Sequence, residues 1–154
     1  MEFAQVYGSL NQTLKNKVIN FWIDQNCMPE DIAKLRVEEA LFAILEDGNI
    51  VAVCSGKPVW VDQLRDNFIY YRTYTKSDYR KKDLSKILFN LTKEYLNKNR
   101  IINGIEMKGI YFIYESSILN KLREFVRPSG TLIGWTDKNQ QIRVLYLDGA
   151  KINI

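Results

Sequence analysis

The stretch of residues 68–114 places an amphipathic helix between two strand-like segments, and this pattern limits the folds that the chain can adopt. Residues 68–75 are rich in aromatic residues and threonine, which favour strands. Apolar residues then recur at helical spacing from Leu84 to Tyr95, and residues 109–114 form a second strand-like run. Because a helix joins the two strands, the pattern predicts a right-handed parallel crossover.

The flanking segments predict further helices and strands. Two helices are expected within residues 10–36, the first with Ser9 as its N-cap. The other expected elements are a strand near residues 3–7, a hairpin of residues 41–45 and 50–54, a short helix at residues 118–125, and a hairpin of residues 131–135 and 142–147. We therefore predict an α/β (α+β) fold with a mixed, mostly antiparallel sheet of about six to seven strands and helices on both faces.

Length and composition favour one domain that spans residues 1–154. Hydrophobic residues make up 46% of the chain, which is enough for a sizeable core. No run approaches the roughly 18 apolar residues of a membrane span. The first residues lack a basic stretch followed by an apolar run, so no secretory signal is predicted. We expect a cytoplasmic protein without a membrane partner.

The sequence contains no histidine, which restricts the chemistry that it can perform. A Ser-His-Asp triad, a Cys-His pair and a histidine general base are all excluded. Cys27 and Cys54 lie far apart in the sequence and belong to no CxxC pair. We therefore expect no metal site, and both cysteines are predicted to be small core residues in a reducing compartment.

Positive charge is concentrated in residues 76–100. This segment contains eight Lys or Arg and three Asp or Glu, whereas the whole chain has a net charge of only +4. A basic patch favours a phosphate-bearing partner, either a nucleotide-like molecule or nucleic acid. The alternative is a solvated helix face, because lysine-rich exposed faces are common.

The most informative motif lies within residues 73–89, where the predicted strand ends and the helix begins. Free backbone N–H groups at a helix start form an anion site. Here the chain resembles the GNAT superfamily of acyl-CoA N-acyltransferases, in which an (Arg/Gln)-x-x-Gly-x-(Gly/Ala) turn opens a long helix. Arg80 takes the first motif position, and Asp83 and Ser85 take the two glycine positions. The order of elements resembles that of the family from about residue 10 to residue 147.

The resemblance implies that the protein binds acetyl-CoA as a co-substrate. In this family the amides of the turn hold the CoA pyrophosphate, and the preceding strand pairs with the pantetheine arm. The resemblance assigns acetyl-CoA binding to Thr73, Tyr74, Thr75, Arg80, Lys81, Lys82, Asp83, Leu84 and Ser85. A carboxylate on Asp83 about 5 Å from the pyrophosphate would repel it by roughly 3 kcal/mol at an effective dielectric near 20. Neighbouring lysines offset this repulsion, or Asp83 turns away and caps its own helix.

Catalytic residues are predicted less directly. Many family members carry a tyrosine on the helix after the later strand, where it protonates the leaving CoA sulfur. Alignment on the serines at residues 116–117 places Arg123 or Glu124 at that position, so Tyr114 is the candidate substitute. Tyr71 is the candidate for positioning an amine or a water, while Glu46 and Glu115 are general-base candidates only because they end strands.

Three functions are consistent with these features. The first is acetyl-CoA-dependent N-acetyl transfer to a primary amine by direct attack on the thioester. The second is a non-catalytic GNAT-like module that binds a partner or a regulatory ligand. The third is nucleic-acid binding, which is disfavoured because the aromatic residues near the basic helix fall mostly on its apolar stripe. Exposed backbone at a sheet edge would also permit a homodimer.

Overall fold

The computed structural model describes residues 1–153. Three α-helices are present among them: α1 (Gln12–Asp24), α2 (Glu30–Arg36) and α3 (Leu84–Lys98). The strands are β1 (Glu2–Gln5), β2 (Ala40–Glu46), β3 (Asn49–Val61), β4 (Asp66–Thr75), β5 (Ile101–Ile102), β6 (Ile105–Glu106), β7 (Gly109–Ile113), β8 (Val126–Arg127), β9 (Gly130–Trp135) and β10 (Gln141–Tyr146). Short 3₁₀ helices span Val37–Glu39, Ser77–Lys82 and Leu119–Lys121.

The main sheet contains eight strands in the order β1-β2-β3-β4-β7-β10-β9-β8, and β5 and β6 form a separate pair. Strands β4 and β7 are parallel, with Ile69 opposite Ile110 and Tyr70 opposite Tyr111, which confirms that the predicted crossover joins parallel strands. Antiparallel pairs dominate elsewhere. The prediction of six to seven strands was wrong, since the two-residue strand β8 folds back on β9 and extends the sheet.

Contacts divide the chain into two compact units. Unit 1 comprises Met1–Lys57 and Arg72–Glu94. Its core includes Phe21 of α1, Ala33 of α2 and Val53 of β3. The next residue, Cys54, places its Sγ 3.5 Å from the hydroxyl of Thr92 on α3. Because successive strand residues point to opposite faces, α1 and α2 cover one face of β3 and α3 covers the other, as predicted.

Unit 2 comprises Pro58–Tyr71 and Tyr95–Ile154, of which residues up to 153 are described. Val61, Phe68 and Val144 form its buried apolar cluster. Gly109 begins β7 at a point of close backbone approach. A Cβ atom there would lie 2.2 Å from the carbonyl oxygen of Leu145. This position therefore requires glycine.

Several local predictions were wrong. The helix expected at residues 118–125 is only the 3₁₀ turn Leu119–Lys121, and Leu122 is already extended. Asn120 explains this, because its side chain donates to the carbonyl of Tyr114 and accepts from the amide of Gln141. The N-cap of α1 is Asn11, not Ser9. Within residues 1–153 no helix is long and apolar enough to cross a membrane.

Candidate functional site

The basic turn (residues 76–83) connects β4 to α3 within unit 1. The amide of Lys76 donates to the carbonyl of Val51 at 2.9 Å, which ties the start of the turn to β3. The amide of Tyr79 then donates to the carbonyl of Lys76 at 2.9 Å and closes the first 3₁₀ bend. These two hydrogen bonds, one to β3 and one within the turn, therefore fix the path of the turn at its beginning.

Asp83 ends the turn in the left-handed conformation, with φ 55° and ψ 27°. Glycine adopts this region freely, and aspartate and asparagine tolerate it better than most other residues. The carbonyl of Asp83 accepts a hydrogen bond from the amide of Ile87, and this bond begins the helical pattern of α3. Asp83 therefore gives the backbone the conformation that suits glycine at this motif position, although its exposed side chain adds a carboxylate.

The amino-terminal end of α3 directly follows the turn. The amides of its first residues, Leu84, Ser85 and Lys86, have no hydrogen-bond acceptor within α3 itself, as in any first helical turn. The macrodipole adds partial positive charge at the same place. Residues 76–86 also contain five cationic and two anionic side chains. Such a junction is suited to bind a phosphate group.

Arg80 lies against the end of β4. Its Nε donates to the carbonyl of Thr75 at 3.3 Å, and its Nη2 lies 3.5 Å from the hydroxyl of Tyr74. Its guanidinium carbon is 5.7 Å from the centre of the Tyr74 ring. These contacts hold the cation beside the turn, and they use two of the five N–H donors of a guanidinium.

The hydroxyl of Thr75 is buried and has no hydrogen-bond partner among residues 1–153. A buried polar atom without a partner is unfavourable, and a ligand that bonds to it removes that penalty. By contrast, the hydroxyl of Thr73 donates to the carbonyl of Val53 at 3.4 Å. Of the two threonines, Thr75 is the one whose hydroxyl is left without a hydrogen-bond partner among the described residues at this strand end.

Tyr79 anchors the basic turn to the β2–β3 hairpin. Its hydroxyl donates to the carboxylate of Glu46, and the Lys82 ammonium lies 4.8 Å from the centre of its ring. The hydrogen bond to Glu46, followed by partial burial, raises the pKa of Tyr79 above its ordinary value. Glu46, a general-base candidate in the sequence, is therefore placed where it holds the turn.

The two tyrosines predicted to be catalytic lie in unit 2 and are both buried. Tyr71 is 6% exposed and Tyr114 is 7% exposed. The guanidinium carbon of Arg143 is 5.1 Å from the centre of the Tyr114 ring. The side chain of Glu115 is exposed. The catalytic roles of Tyr71 and Tyr114 stay predictions.

All nine residues predicted to bind acetyl-CoA lie in one short stretch of unit 1. Thr73, Tyr74 and Thr75 end β4, while Arg80, Lys81, Lys82 and Asp83 form the turn; Leu84 and Ser85 begin α3. Leu84 is buried and anchors the helix, whereas Ser85 is exposed. The sequence did not reveal the Tyr79–Glu46 contact, because 33 residues separate its members. Among residues 1–153 no group of acidic, histidine or cysteine side chains could hold a metal ion.

Known structures share this fold at low sequence identity. An aminoglycoside 6'-acetyltransferase type Ii aligns over 95% of this chain and 97% of its own, with TM-score 0.62 and 13% identity. A GNAT-family acetyltransferase from Streptococcus pneumoniae covers 95% of this chain and 98% of its own, with TM-score 0.61 and 8% identity. A ribosomal-protein-S5-alanine acetyltransferase from Vibrio fischeri covers 97% and 94%, with TM-score 0.60 and 11% identity. No family model and no curated protein matches the sequence.

Proposed function

We propose that this protein is an acetyl-CoA-dependent N-acetyltransferase that acts on a primary amine. The chain has the fold of GNAT acetyltransferases. The observation that carries the proposal is the left-handed conformation of Asp83 between a basic 3₁₀ turn and the start of α3. This backbone presents amides and positive charge at one point, as binding of a pyrophosphate requires.

Three sets of groups, at the end of β4, in the turn and at the start of α3, supply the proposed contacts with CoA. The first amides of α3 bind the pyrophosphate, and Arg80 with Lys82 balances its charge. The unpartnered hydroxyl of Thr75 donates to an oxygen of CoA. The contacts of Arg80 with Tyr74 and of Lys82 with Tyr79 hold both cations near the turn before the ligand arrives. Preorganisation of this kind reduces the entropy that binding would otherwise cost.

The proposed reaction is direct transfer without a covalent enzyme intermediate. The amine nitrogen attacks the thioester carbonyl carbon, the carbon–sulfur bond breaks, and the nitrogen loses a proton while the sulfur gains one. Tyr71 positions the amine or a water, and Tyr114 donates the proton to the thiolate. Much of the rate enhancement then comes from holding the two reactants together.

The acceptor is proposed to be an amine of the kind that the structural neighbours acetylate. Their names specify the 6' position of an aminoglycoside and the alanine of a ribosomal protein. Both are primary amines on larger polar molecules. An aminoglycoside and an alanine-initiated peptide are therefore the first acceptors to test.

One observation favours a non-catalytic binding module as a second candidate. In the resembling family a helix after the later strand carries the tyrosine that protonates sulfur. Here a three-residue 3₁₀ turn, Leu119–Lys121, occupies that part of the chain, and the guanidinium of Arg143 lies over the ring of Tyr114. A protein with these changes would retain the phosphate-binding turn and lose the chemistry.

Calorimetric titration with acetyl-CoA and with desulfo-CoA tests whether the protein binds CoA. Arg80→Ala is expected to weaken affinity for both ligands by about ten- to a hundredfold, because charge-assisted contacts to phosphate contribute about 1.5–3 kcal/mol each. Lys98→Ala, which removes an exposed cation at the other end of α3, serves as the matched control and should change affinity by less than about twofold. No binding at millimolar ligand would overturn the proposal.

Thiol release from acetyl-CoA then distinguishes the two candidates. The enzyme is expected to release CoA faster with an aminoglycoside or an alanine-initiated peptide than without an acceptor. Tight binding of acetyl-CoA together with no acceptor-dependent release across a broad panel of primary amines would instead support the binding module.

A further inference from the structure

A cavity in unit 2 carries a second inference. It has a volume of about 530 Å³, which lies within the range of small-molecule binding sites. Its lining comes from the segment after β7 and from β9 and β10, and includes Lys121, Arg123, Phe125, Leu132, Trp135 and Arg143. All of these residues belong to unit 2, and none belongs to the basic turn.

The lining combines apolar walls with positive charge. Phe125 and Trp135 are 74% and 54% exposed, so their rings present apolar surface that no other part of the described chain covers. Three cationic side chains line the cavity, and no carboxylate does so among residues 1–153. The neighbouring Glu124 is not part of the lining, and its carboxylate pairs with Arg127 at 3.5 Å and accepts from the amide of Arg123.

Arg143 adds a charge that its described contacts leave without a counter-ion. Its side chain is fully buried, at 0% exposure. Nε and Nη2 donate to the side-chain oxygen of Gln141 at 2.9 and 2.7 Å. Nη2 also donates to the carbonyl of Glu124 at 2.6 Å, and Nη1 donates to the carbonyls of Phe125 and Gly130 at 3.3 and 3.1 Å.

These bonds use all five N–H donors of the guanidinium on neutral oxygens. Burial of an ion is costly, and dipoles alone compensate for it less well than an opposite charge does. Arg143 therefore contributes an attractive field to an anion in the cavity, without donating to it. Direct hydrogen bonds must come from Lys121 and Arg123 at the same cavity.

We propose that this cavity binds a small amphiphilic anion, a carboxylate attached to an aromatic or branched aliphatic body. The carboxylate pairs with Lys121 and Arg123 in the field of Arg143. The apolar body packs between Phe125, Leu132 and Trp135. None of the residues that line this cavity is among those proposed to bind acetyl-CoA. The test of this site therefore does not depend on the proposed transferase activity.

The probe is 1-naphthoate, and the neutral 1-naphthalenemethanol is its matched control. By calorimetry 1-naphthoate is expected to bind with a Kd below about 1 mM, and about tenfold or more tightly than the alcohol. Trp135→Phe should reduce the quenching of tryptophan fluorescence by bound 1-naphthoate. No binding at several millimolar, or equal affinity for the acid and the alcohol, would overturn the proposal.

Variants then locate the site without disturbing the fold. The double variant Lys121→Gln, Arg123→Gln is expected to weaken 1-naphthoate binding about tenfold, because it removes both charged donors to the carboxylate. The fold should be preserved, since both side chains lie at the surface and Arg143 is left intact. The control double variant Lys138→Gln, Lys151→Gln removes the same charge from exposed positions outside the lining and should have less than about a twofold effect. Arg80→Ala should also leave binding unchanged. Equal losses in the two double variants, or a loss in Arg80→Ala, would contradict the assignment.

Discussion

The hydroxyl of Tyr79 donates a hydrogen bond to the carboxylate of Glu46, and this contact joins the basic turn to the end of β2. Lys17 of α1 holds the β2–β3 hairpin, because its ammonium donates to the carbonyl of Gly48 at 2.8 Å. A chain of contacts therefore runs from α1 through the hairpin to the turn that is proposed to bind pyrophosphate. The position of the turn depends on residues far away in the sequence.

Tyr79→Phe removes this anchor and keeps the ring on which Lys82 lies. We expect acetyl-CoA affinity to fall about two- to fivefold, because the turn must then be ordered by the ligand itself. Calorimetry at one ionic strength measures the effect. Glu46→Gln is the matched control, since its amide oxygen still accepts from Tyr79. Equal losses in Glu46→Gln and Glu46→Ala would show that charge, not the hydrogen bond, matters.

The pH dependence of stability provides a second test of the same contact. The pKa of Tyr79 is raised in the folded state, chiefly by the hydrogen bond to Glu46. The folded protein thus holds this proton more tightly than the unfolded chain does. The resulting stabilisation is complete below the ordinary tyrosine pKa of about 10 and is lost as pH rises through the higher folded value. Urea unfolding of wild type and Tyr79→Phe should therefore converge only above about pH 10.

Gly109→Ala tests the close approach at the start of β7. The added Cβ would lie 2.2 Å from the carbonyl oxygen of Leu145, so a backbone must move. We expect a loss of about 2–3 kcal/mol in the free energy of unfolding, measured by urea denaturation. Gly134→Ala is the control, because a Cβ at Gly134 meets nothing within 4 Å. Similar losses at both positions would refute the steric explanation.

Arg143→Met tests whether the buried guanidinium organises the segment after β7. The substitution keeps an unbranched side chain and leaves the oxygens around it without donors. We expect the free energy of unfolding to fall by about 3 kcal/mol. Arg143→Lys should recover little of this, since an ammonium cannot reproduce the fork of a guanidinium. Full recovery with lysine would indicate that charge alone suffices.

The sequence predicted the elements whose signals are local and repeated. The parallel crossover from β4 through α3 to β7 followed from periodicity alone. The β5–β6 hairpin was missed although Asn103 and Gly104, both with positive φ, form the Asn-Gly turn typical of hairpins. Its strands have only two residues each, too few for any alternation to be visible.

The candidate site was predicted in position and only partly in its contacts. Arg80 to Ser85 could be located because a motif encodes the backbone shape of the turn. Arg143 could not be recognised, since a cation in an alternating strand ordinarily faces solvent. Its burial depends on hydrogen bonds to backbone carbonyls within residues 124–130, and the pattern of side chains in the sequence does not predict these bonds. The same non-local cause replaced the predicted helix at residues 118–125 with a short 3₁₀ turn.

Substitutions at Asp83 separate two effects: the left-handed conformation that the backbone of the turn requires, and the repulsion that the carboxylate adds to phosphate binding. Asp83→Asn keeps a residue that tolerates φ 55° and removes the carboxylate. We expect acetyl-CoA affinity to rise about tenfold if the carboxylate faces the pyrophosphate, since solvent screening reduces the repulsion well below the roughly 3 kcal/mol estimated for a close pair.

Asp83→Gly should reproduce that gain in affinity and also relieve the conformational strain, changing the free energy of unfolding by about 0.5–1 kcal/mol in favour of the folded state. Calorimetry and urea denaturation measure the two effects separately. Unchanged affinity in Asp83→Asn together with tighter binding by Asp83→Gly would show that the side chain obstructs the ligand by its bulk. Unchanged affinity in both variants would show that Asp83 points away from the ligand, and that the turn binds phosphate without help from this position.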